Sequence, residues 1–172
     1  EGQKRKSGED YIHHPYAVGL ELAKLHTGPE TIAAGILHDA LEDTEATYDD
    51  IKNNFNDSVA SLVESVTKIK QFKKTAGKDI SNENYRKMFV AMASDIRVIL
   101  IKSLDRLHNI RTLEGHKPEK RTKIAKETIE VYSPIMAKLG LYKIATEIND
   151  TCFKYIDPEA YKEVKDARDK II

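Results

Sequence analysis

Residues 37–44 place four ionisable side chains directly after an apolar segment: His38, Asp39, Glu42 and Asp43. Burying an imidazole and three carboxylates is costly unless a partner neutralises them, and a divalent metal ion with its coordinated water suits this set. On a helix, Glu42 would follow His38 by four residues and Asp39 by three, so the three would share one face. The spacing predicts His38 and Asp39 as metal ligands and the pair Glu42 and Asp43 as the groups that handle protons of the water. The ordinary alternative is a helix end with solvated acids.

Two other segments could complete such a site. Residues 11–15 supply His13 and His14, and His14 is the better candidate ligand because the following proline restricts its backbone. A lone histidine at this place is, however, more often structural. Asp105 ends an apolar run and should project from a packed helix, unless it only caps that helix or pairs with Arg106. The combined set has four nitrogen and oxygen ligands without sulfur, which suits Mn²⁺, Fe²⁺ or Mg²⁺.

Further polar groups flank these candidates. Asn109 and Thr112 follow Asp105 by four and seven residues, which places them on the same helical face. The basic segment Arg5-Lys6-Ser7 precedes the first histidines; a guanidinium can stack on a base and a lysine can neutralise phosphate, although a solvated surface is the alternative. The lysines in residues 68–78 are predicted to lie in a solvated loop rather than in a binding site.

Composition narrows the class of protein. The 172 residues suit one domain with a single core, and 28 basic against 28 acidic side chains create no overall field that would attract nucleic acid or a membrane. No apolar run is long enough to span a bilayer. The single cysteine, Cys152, excludes an internal disulfide and suits a reducing compartment. We therefore expect a cytoplasmic protein without a nucleic-acid or membrane partner.

The segments that carry the candidate site residues are predicted to be helices. Apolar residues recur at helical spacing along nearly the whole chain, and alternation with period two is scarce. Lys68–Ser81 lacks periodicity and is predicted to be a mobile loop, Pro134 to kink a long helix, and Gly140 to end it. The pattern predicts an all-α compact bundle, with helices over residues 15–25, 30–42, from Thr47, 57–69, 82–93, 95–108, 118–139, 142–155 and from Pro158.

Seven motifs follow one another along the chain: Arg5-Lys6-Ser7-Gly8-Glu9, Tyr11-Ile12-x-His14-Pro15, His38-Asp39-x-x-Glu42-Asp43-Thr44, Glu83–Met88, Asp95–Leu100, Asp105-Arg106-Leu107-His108-Asn109-x-Arg111-Thr112-Leu113 and Tyr132–Gly140. In this order they resemble the HD superfamily of metal-dependent phosphohydrolases and, more closely, the N-terminal hydrolase domain of the RelA/SpoT homologue family. The resemblance spans nearly the whole chain and implies one HD-type hydrolase domain over residues 1–172, excised from a longer bifunctional synthetase/hydrolase. Asp10 and Ser103 depart from the family's usual proline and small apolar residue.

The resemblance also implies an activity: metal-dependent hydrolysis of ppGpp and pppGpp at the ribose 3′ position, which releases pyrophosphate and GDP or GTP and controls the stringent response. It implies one Mn²⁺ ion, and a synthetase domain downstream as a partner. The alternatives are a catalytically weak nucleotide-sensing domain of a synthetase, or an HD phosphohydrolase for another nucleotide. The implied roles are metal binding for His14, His38, Asp39 and Asp105; water activation for Glu42 and Asp43; guanine stacking for Arg5; and nucleotide contacts for Lys6, Ser7, Asn109 and Thr112.

Overall fold

A computed structural model of the chain describes residues 4, 8, 10–75, 81–93 and 95–170, with residues 88 and 92 described by their backbone alone. Within this part, the chain is helical apart from turns and an isolated bridge between Lys4 and Asp10, which confirms the predicted all-α class. None of its helices is long and apolar enough to cross a membrane. The helices are α1 (His13–Lys24), α2 (Pro29–Ile36), α3 (Ala40–Asp43), α4 (Tyr48–Asn54), α5 (Asp57–Thr75), α6 (Asn82–Met92), α7 (Ile96–Arg111), the 3₁₀ turn Leu113–Gly115, α8 (Pro118–Lys138), α9 (Tyr142–Ile156) and α10 (Pro158–Asp169).

The chain divides into two compact units, Glu1–His108 and Asn109–Ile172, and the boundary lies near the end of α7. In the first unit α5 packs against α2, α3 and α4, and α1 packs against α2. In the second unit α8 packs along α9, and α10 packs on α9. The extent of one hydrolase domain over residues 1–172 stays a prediction.

Two glycines allow α1 and α2 to approach each other closely. A Cβ atom at Gly35 would lie 2.2 Å from Cδ1 of Leu22, and one at Gly19 would lie 2.6 Å from Cγ1 of Ile36. Leu22 is fully buried, so its side chain has little room to turn away. The absence of both Cβ atoms therefore brings α1 against α2, and this packing sets the position of the residues that flank the two helices.

The predicted single helix over residues 30–42 is wrong, because α2 ends at Ile36 and residues 37–39 form a turn before α3. In a continued helix, the Gly35 carbonyl would accept a hydrogen bond from the N–H of Asp39. Here it accepts one from Nδ1 of His38 at 2.7 Å. A side chain that competes for a helical carbonyl favours the end of the helix. His38 and Glu42 consequently do not share one helical face.

The predicted mobile loop Lys68–Ser81 is also wrong as far as Thr75, where α5 ends; residues 76–80 lie outside the described residues. Ile69 is buried, so the apolar face of α5 extends to the last residue of the predicted helix 57–69. Lys70 and Lys74 lie one helical turn apart and pair with acidic groups in residues 39–42. These long-range contacts stabilise a helical segment whose local sequence does not predict one.

Helix ends follow local signals more faithfully. Thr47 begins α4 as predicted: its hydroxyl accepts from the N–H of Asp50 at 3.2 Å, and the Asp50 carboxylate accepts from the N–H of Thr47 at 2.8 Å. Gly140, at φ +76°, ends α8 as predicted, with the N–H of the next residue donating to Met136 O. Pro134 lies inside α8, and the predicted kink there stays a prediction.

Candidate metal centre

Four side chains from three separate segments of the first unit meet in a ring where histidines and aspartates alternate. Nε2 of His38 lies 3.1 Å from Oδ2 of Asp39 and 3.7 Å from Oδ1 of Asp105. Nε2 of His14 lies 3.2 Å from Oδ1 of Asp105 and 3.9 Å from Oδ2 of Asp39. Both histidines are almost fully buried. The structure therefore brings together the four side chains that the sequence suggested as metal ligands.

Two helices and one turn position the four side chains of the ring. His14 lies in the first turn of α1, Asp105 lies on α7, and His38 and Asp39 lie in the turn between α2 and α3. Consecutive side chains on a helix point about 100° apart. Because residues 37–39 form a turn instead, the neighbouring side chains of His38 and Asp39 can converge on one point.

One atom tests whether these residues fit a metal ion. Nε2 of His38 is buried and has no hydrogen-bond partner among the residues that the structure describes, since Nδ1 is the nitrogen that donates to Gly35 O. Ligand atoms with bonds of about 2.1 Å to one ion lie about 3 Å apart at right angles and about 4.2 Å apart across it. The four neighbouring pairs of the ring, at 3.1–3.9 Å, fall within that range. One ligand atom from each of His14, His38 and Asp39 lies within 4.8 Å of the other two, and Asp105 contacts both histidines. The residues fit a divalent cation.

Each aspartate of the ring also pairs with a lysine. Nζ of Lys102 donates to Oδ2 of Asp105 at 2.5 Å, and Nζ of Lys70 donates to Oδ1 of Asp39 at 3.1 Å. Burial raises the pKa of both carboxyls, but nearby cationic and hydrogen-bonding groups outweigh it: Lys102 and the histidines hold the pKa of Asp105 well below its usual range, and His38 lowers that of Asp39. Burial lowers the pKa of His38, yet the two carboxylates raise it above its ordinary value.

Glu42 lies beside the ring and is held by two lysines of α5. Nζ of Lys70 lies 2.7 Å from Oε2 of Glu42, and Lys74 contacts the other carboxylate oxygen. Burial raises the pKa of Glu42, but the hydrogen bonds and charges of the two lysines lower it below its ordinary value. Because Lys70 also contacts Asp39, it links Glu42 directly to a side chain of the ring. Glu42 is therefore ionised at neutral pH.

Tyr11 connects the other acid of the pair to the ring. Its hydroxyl lies 2.5 Å from Oδ2 of Asp39 and 2.9 Å from Oδ2 of Asp43. Burial and the two carboxylates raise the pKa of Tyr11, so the phenol stays protonated at neutral pH. The hydroxyl thus holds Asp43 close to the same aspartate that Lys70 links to Glu42.

A cavity of about 570 Å³ is lined in part by His108, which contacts His14 of the ring. Nδ1 of His108 lies 2.9 Å from Nδ1 of His14, a contact that requires one nitrogen to donate and the other to accept. If Nε2 of His14 binds a cation, Nδ1 of His14 carries the proton and donates the hydrogen bond, and Nδ1 of His108 accepts that bond. The residues that line the cavity are Lys4, Gly8, Asp10, His13, Ala17 and His108.

The substrate residues named from the resemblance are not tested by this geometry. Arg5, Lys6 and Ser7 lie outside the described residues, although Lys4 and Gly8 on either side of them line the cavity. Asn109 and Thr112 belong to the second unit, where the Thr112 hydroxyl donates to the Asn109 carbonyl at 3.4 Å. The contacts of all five with a nucleotide stay predictions.

Sequence reasoning missed five residues around the ring. Lys102 carried a usable signal: it is a lysine inside an apolar helical run, three residues before a carboxylate that was expected to be buried. Lys70 and Lys74 carried none, because their acidic partners lie about 30 residues away. Tyr11 and His108 stood within the quoted motifs but had no assigned role.

Comparisons with known proteins show which family the chain resembles. A family model described as HD domain matches residues 1–142. The chain is 52% identical over 163 residues to a guanosine-3′,5′-bis(diphosphate) 3′-pyrophosphohydrolase of Aquifex aeolicus, and 49% identical over 166 residues to the bifunctional (p)ppGpp synthase/hydrolase SpoT of Escherichia coli K12. It covers 23% and 24% of those two proteins, and they cover 95% and 96% of it. The chain thus spans about a quarter of their length.

The chain is also similar to a synthetase and to a solved structure. A GTP pyrophosphokinase of Streptomyces antibioticus is 48% identical to this chain over 163 residues, and this chain covers 19% of its length. A solved structure of a metazoan SpoT ortholog that hydrolyzes ppGpp aligns with a TM-score of 0.61 and 25% identity, covering 89% of this chain and 86% of that one. The resemblance inferred from the motifs is therefore confirmed by sequence and by fold.

Proposed function

The chain belongs to the HD domain family, and from this premise we propose that it hydrolyses the 3′-diphosphate of guanosine tetra- and pentaphosphate, releasing pyrophosphate and GDP or GTP. Membership in the family implies a hydrolase that depends on a divalent metal ion. The observation that carries the proposal is the ring itself: two imidazoles and two carboxylates from three segments converge around a buried, unpartnered Nε2 of His38. Four N/O ligands without sulfur suit Mn²⁺, which we propose as the ion.

His14, His38, Asp39 and Asp105 would hold the ion. When bound, a divalent cation lowers the pKa of water in its site and offsets charge on the phosphate groups. Glu42 is ionised and lies beside the ring, so we assign it to accept a proton from the attacking water. Water attacks the phosphorus attached to the ribose 3′-oxygen and forms a new P–O bond, while the bond from phosphorus to the 3′-oxygen breaks. Glu42 and Asp43 share the proton taken from the water and return one to the departing 3′-oxygen.

The remaining chain supplies recognition. We propose that the cavity beside His108 receives the nucleoside, because Lys4 and Gly8 line it and the Arg5–Ser7 segment lies between them in the sequence. Arg5 would stack on guanine, Lys6 and Ser7 would contact the nucleotide, and a cation such as Lys6 would offset phosphate charge. Asn109 and Thr112 would contact the ribose–phosphate side.

Location and partners are also proposals. The sole cysteine, Cys152, is buried, and a chain with one cysteine suits a reducing cytoplasm. A synthetase domain in a longer chain is supported by the names of two relatives, a bifunctional synthase/hydrolase and a GTP pyrophosphokinase, of which this chain covers about a quarter or less.

One observation favours a second candidate function. Because a GTP pyrophosphokinase is 48% identical to this chain, the domain could sense nucleotide for a synthetase without effective hydrolysis. The intact acidic pair beside the ring favours hydrolysis over a silent sensor.

The test is release of pyrophosphate from ppGpp by the Mn²⁺-loaded protein, with a deoxynucleoside triphosphate and NADPH as competing substrates. Asp39→Ala should lose Mn²⁺ binding and activity together. Glu42→Gln should keep Mn²⁺ and nucleotide binding while the rate falls about 100-fold or more. Glu45→Gln, the same change at an exposed position three residues later, is the matched control and should retain full activity.

Three results would count against the proposal. An active Glu42→Gln protein would remove the proton-transfer assignment. Nucleotide binding without turnover in the unchanged protein would support the sensor instead. Faster turnover of another nucleotide would show that guanosine 3′-diphosphates are not the substrate.

A further inference from the structure

The two aspartates of the ring divide their oxygens in the same way. Oδ1 of Asp105 faces both histidines, while its Oδ2 accepts from Lys102 at 2.5 Å. Oδ2 of Asp39 faces both histidines, while its Oδ1 accepts from Lys70 at 3.1 Å. Each carboxylate therefore offers one oxygen to the centre of the ring and gives the other to a lysine.

The lysine on Asp105 is unusual because it is buried. The Lys102 side chain is 9% exposed, as is that of Asp105, whereas Lys70 is 29% exposed. The pair lies three residues apart on α7, so the helix holds the ammonium over the carboxylate. An ammonium group in the interior costs free energy unless a charge offsets it, and solvent or salt screens it only weakly there.

We propose that Lys102 is a positioning residue that holds the outer oxygen of Asp105 and acts as an internal counter-charge, so that it lowers the affinity of the ring for a divalent cation. The inference rests on the metal site proposed above. Lys102 and the cation would share one carboxylate, Lys102 at Oδ2 and the cation at Oδ1. Two positive charges on one carboxylate repel each other, and a buried position strengthens this repulsion.

The sign of the effect separates this role from simple orientation. A partner that only orients a metal ligand strengthens metal binding, and its removal typically costs 10- to 100-fold in affinity. A cationic partner also draws negative charge away from the ligand. If Lys102 acts as a counter-charge, its removal leaves Asp105 buried without that charge in the metal-free protein, and a bound cation then replaces it.

The experiment compares Mn²⁺ binding by calorimetry and thermal unfolding with and without Mn²⁺ for the full chain. Lys102→Met removes charge and donor, and Lys102→Gln keeps an amide donor for Asp105 without the charge. Both should bind Mn²⁺ about 10-fold or more tightly than the unchanged protein. Both should also melt at lower temperature without Mn²⁺ and gain more from adding it. The matched control is Lys24→Met, which breaks an exposed pair of the same i,i+3 spacing with Glu21 and should leave the Kd unchanged.

Each outcome of this experiment supports or overturns the counter-charge role of Lys102. An equal or weaker affinity in Lys102→Gln overturns the counter-charge role. Weaker binding in Lys102→Met with unchanged binding in Lys102→Gln shows orientation alone and also overturns it. If Lys102→Met folds only when Mn²⁺ is present, the result is the expected one in its strongest form; if neither variant folds even with Mn²⁺, the cation does not replace Lys102 and the inference is wrong. Failure of the unchanged protein to bind Mn²⁺ overturns the metal site itself, which distinguishes the two proposals.

Discussion

A Cβ atom at position 35 should push α1 and α2 apart and thereby disturb the ring. In Gly35→Ala the new methyl would lie 2.2 Å from Cδ1 of Leu22, about 1.2 Å short of the 3.4 Å at which ordinary contact begins. Leu22 is fully buried, and Val18 also lies within 3.6 Å of the new atom, so the strain must move the helices or force an unfavourable rotamer. His14 on α1 and His38 after α2 would then separate.

The magnitude follows from two opposing effects. Overpacking of a core costs about 1–3 kcal/mol, whereas alanine in place of glycine inside a helix gains about 1 kcal/mol. Leu22→Val removes Cδ1, the atom in conflict, at a cost of about 1 kcal/mol for the lost methylene. In the Leu22→Val background, Gly35→Ala should therefore stabilise the protein, while in the unchanged background it should destabilise it or be neutral. The difference, about 1–3 kcal/mol, is the coupling energy of the pair.

Urea unfolding of the four proteins measures this coupling, and calorimetry measures the Kd for Mn²⁺ in each. Gly35→Ala should weaken Mn²⁺ binding, and Leu22→Val should restore part of the loss, since it relieves the same contact. Additive free energies of unfolding, together with an unchanged Kd in Gly35→Ala, would refute the reasoning that the close approach of α1 and α2 places the ring.

Two further predictions concern single hydrogen-bonded groups. Tyr11→Phe removes the hydroxyl that donates to the part-buried Asp39 and the exposed Asp43. Urea unfolding of the metal-free protein should show a loss of about 1.5–3 kcal/mol, the usual contribution of a hydrogen bond to a charged group; no loss would mean that the two acids do not depend on Tyr11. Asp95→Asn should flatten the acid side of the stability profile: the hydrogen bonds from Arg97 lower the pKa of Asp95, so the pair stabilises the fold above about pH 4 and that stability is lost as pH falls through the lower folded pKa. Unfolding measured from pH 7 to pH 3 checks it, and parallel curves for the two proteins would contradict it.

Local chemistry accounts for the helices that the sequence predicted well. The start of α4 at Thr47 depends on a side chain and a backbone group three residues apart, and the end of α8 at Gly140 depends on one glycine with positive φ. Both signals lie within a single turn of the chain. Helical periodicity is equally local, which is why the all-α class and most helix limits follow from the pattern of apolar residues alone.

The two wrong assignments share a different cause. Residues 30–42 have the composition of one helix, but the Nδ1 of His38 takes the carbonyl that the helix would need, and periodicity does not report such competition. Residues 70–75 lack an apolar pattern, yet they continue α5 because Lys70 and Lys74 meet acids about 30 residues away. In both places a group of the ring or beside it overrides local preference.

The same distinction explains how far the site itself was predictable. Ligand chemistry depends on residue type, so the histidines and aspartates of the ring could be named from the sequence before any contact was known. The balance of charge around them depends in part on which face of α5 meets α3, and this does not follow from residue type or spacing. The pair of Lys102 and Asp105 differs, because its i,i+3 spacing on α7 is visible in the sequence. The chain as a whole has as many basic as acidic residues, but this overall balance does not compensate a local cluster of acids. Part-buried carboxylates that lie close together need cations at the same place. The lysines around the ring are therefore as much a part of its construction as the ligands, and changing their charge should alter cation affinity without changing any of the four groups that would bind the ion.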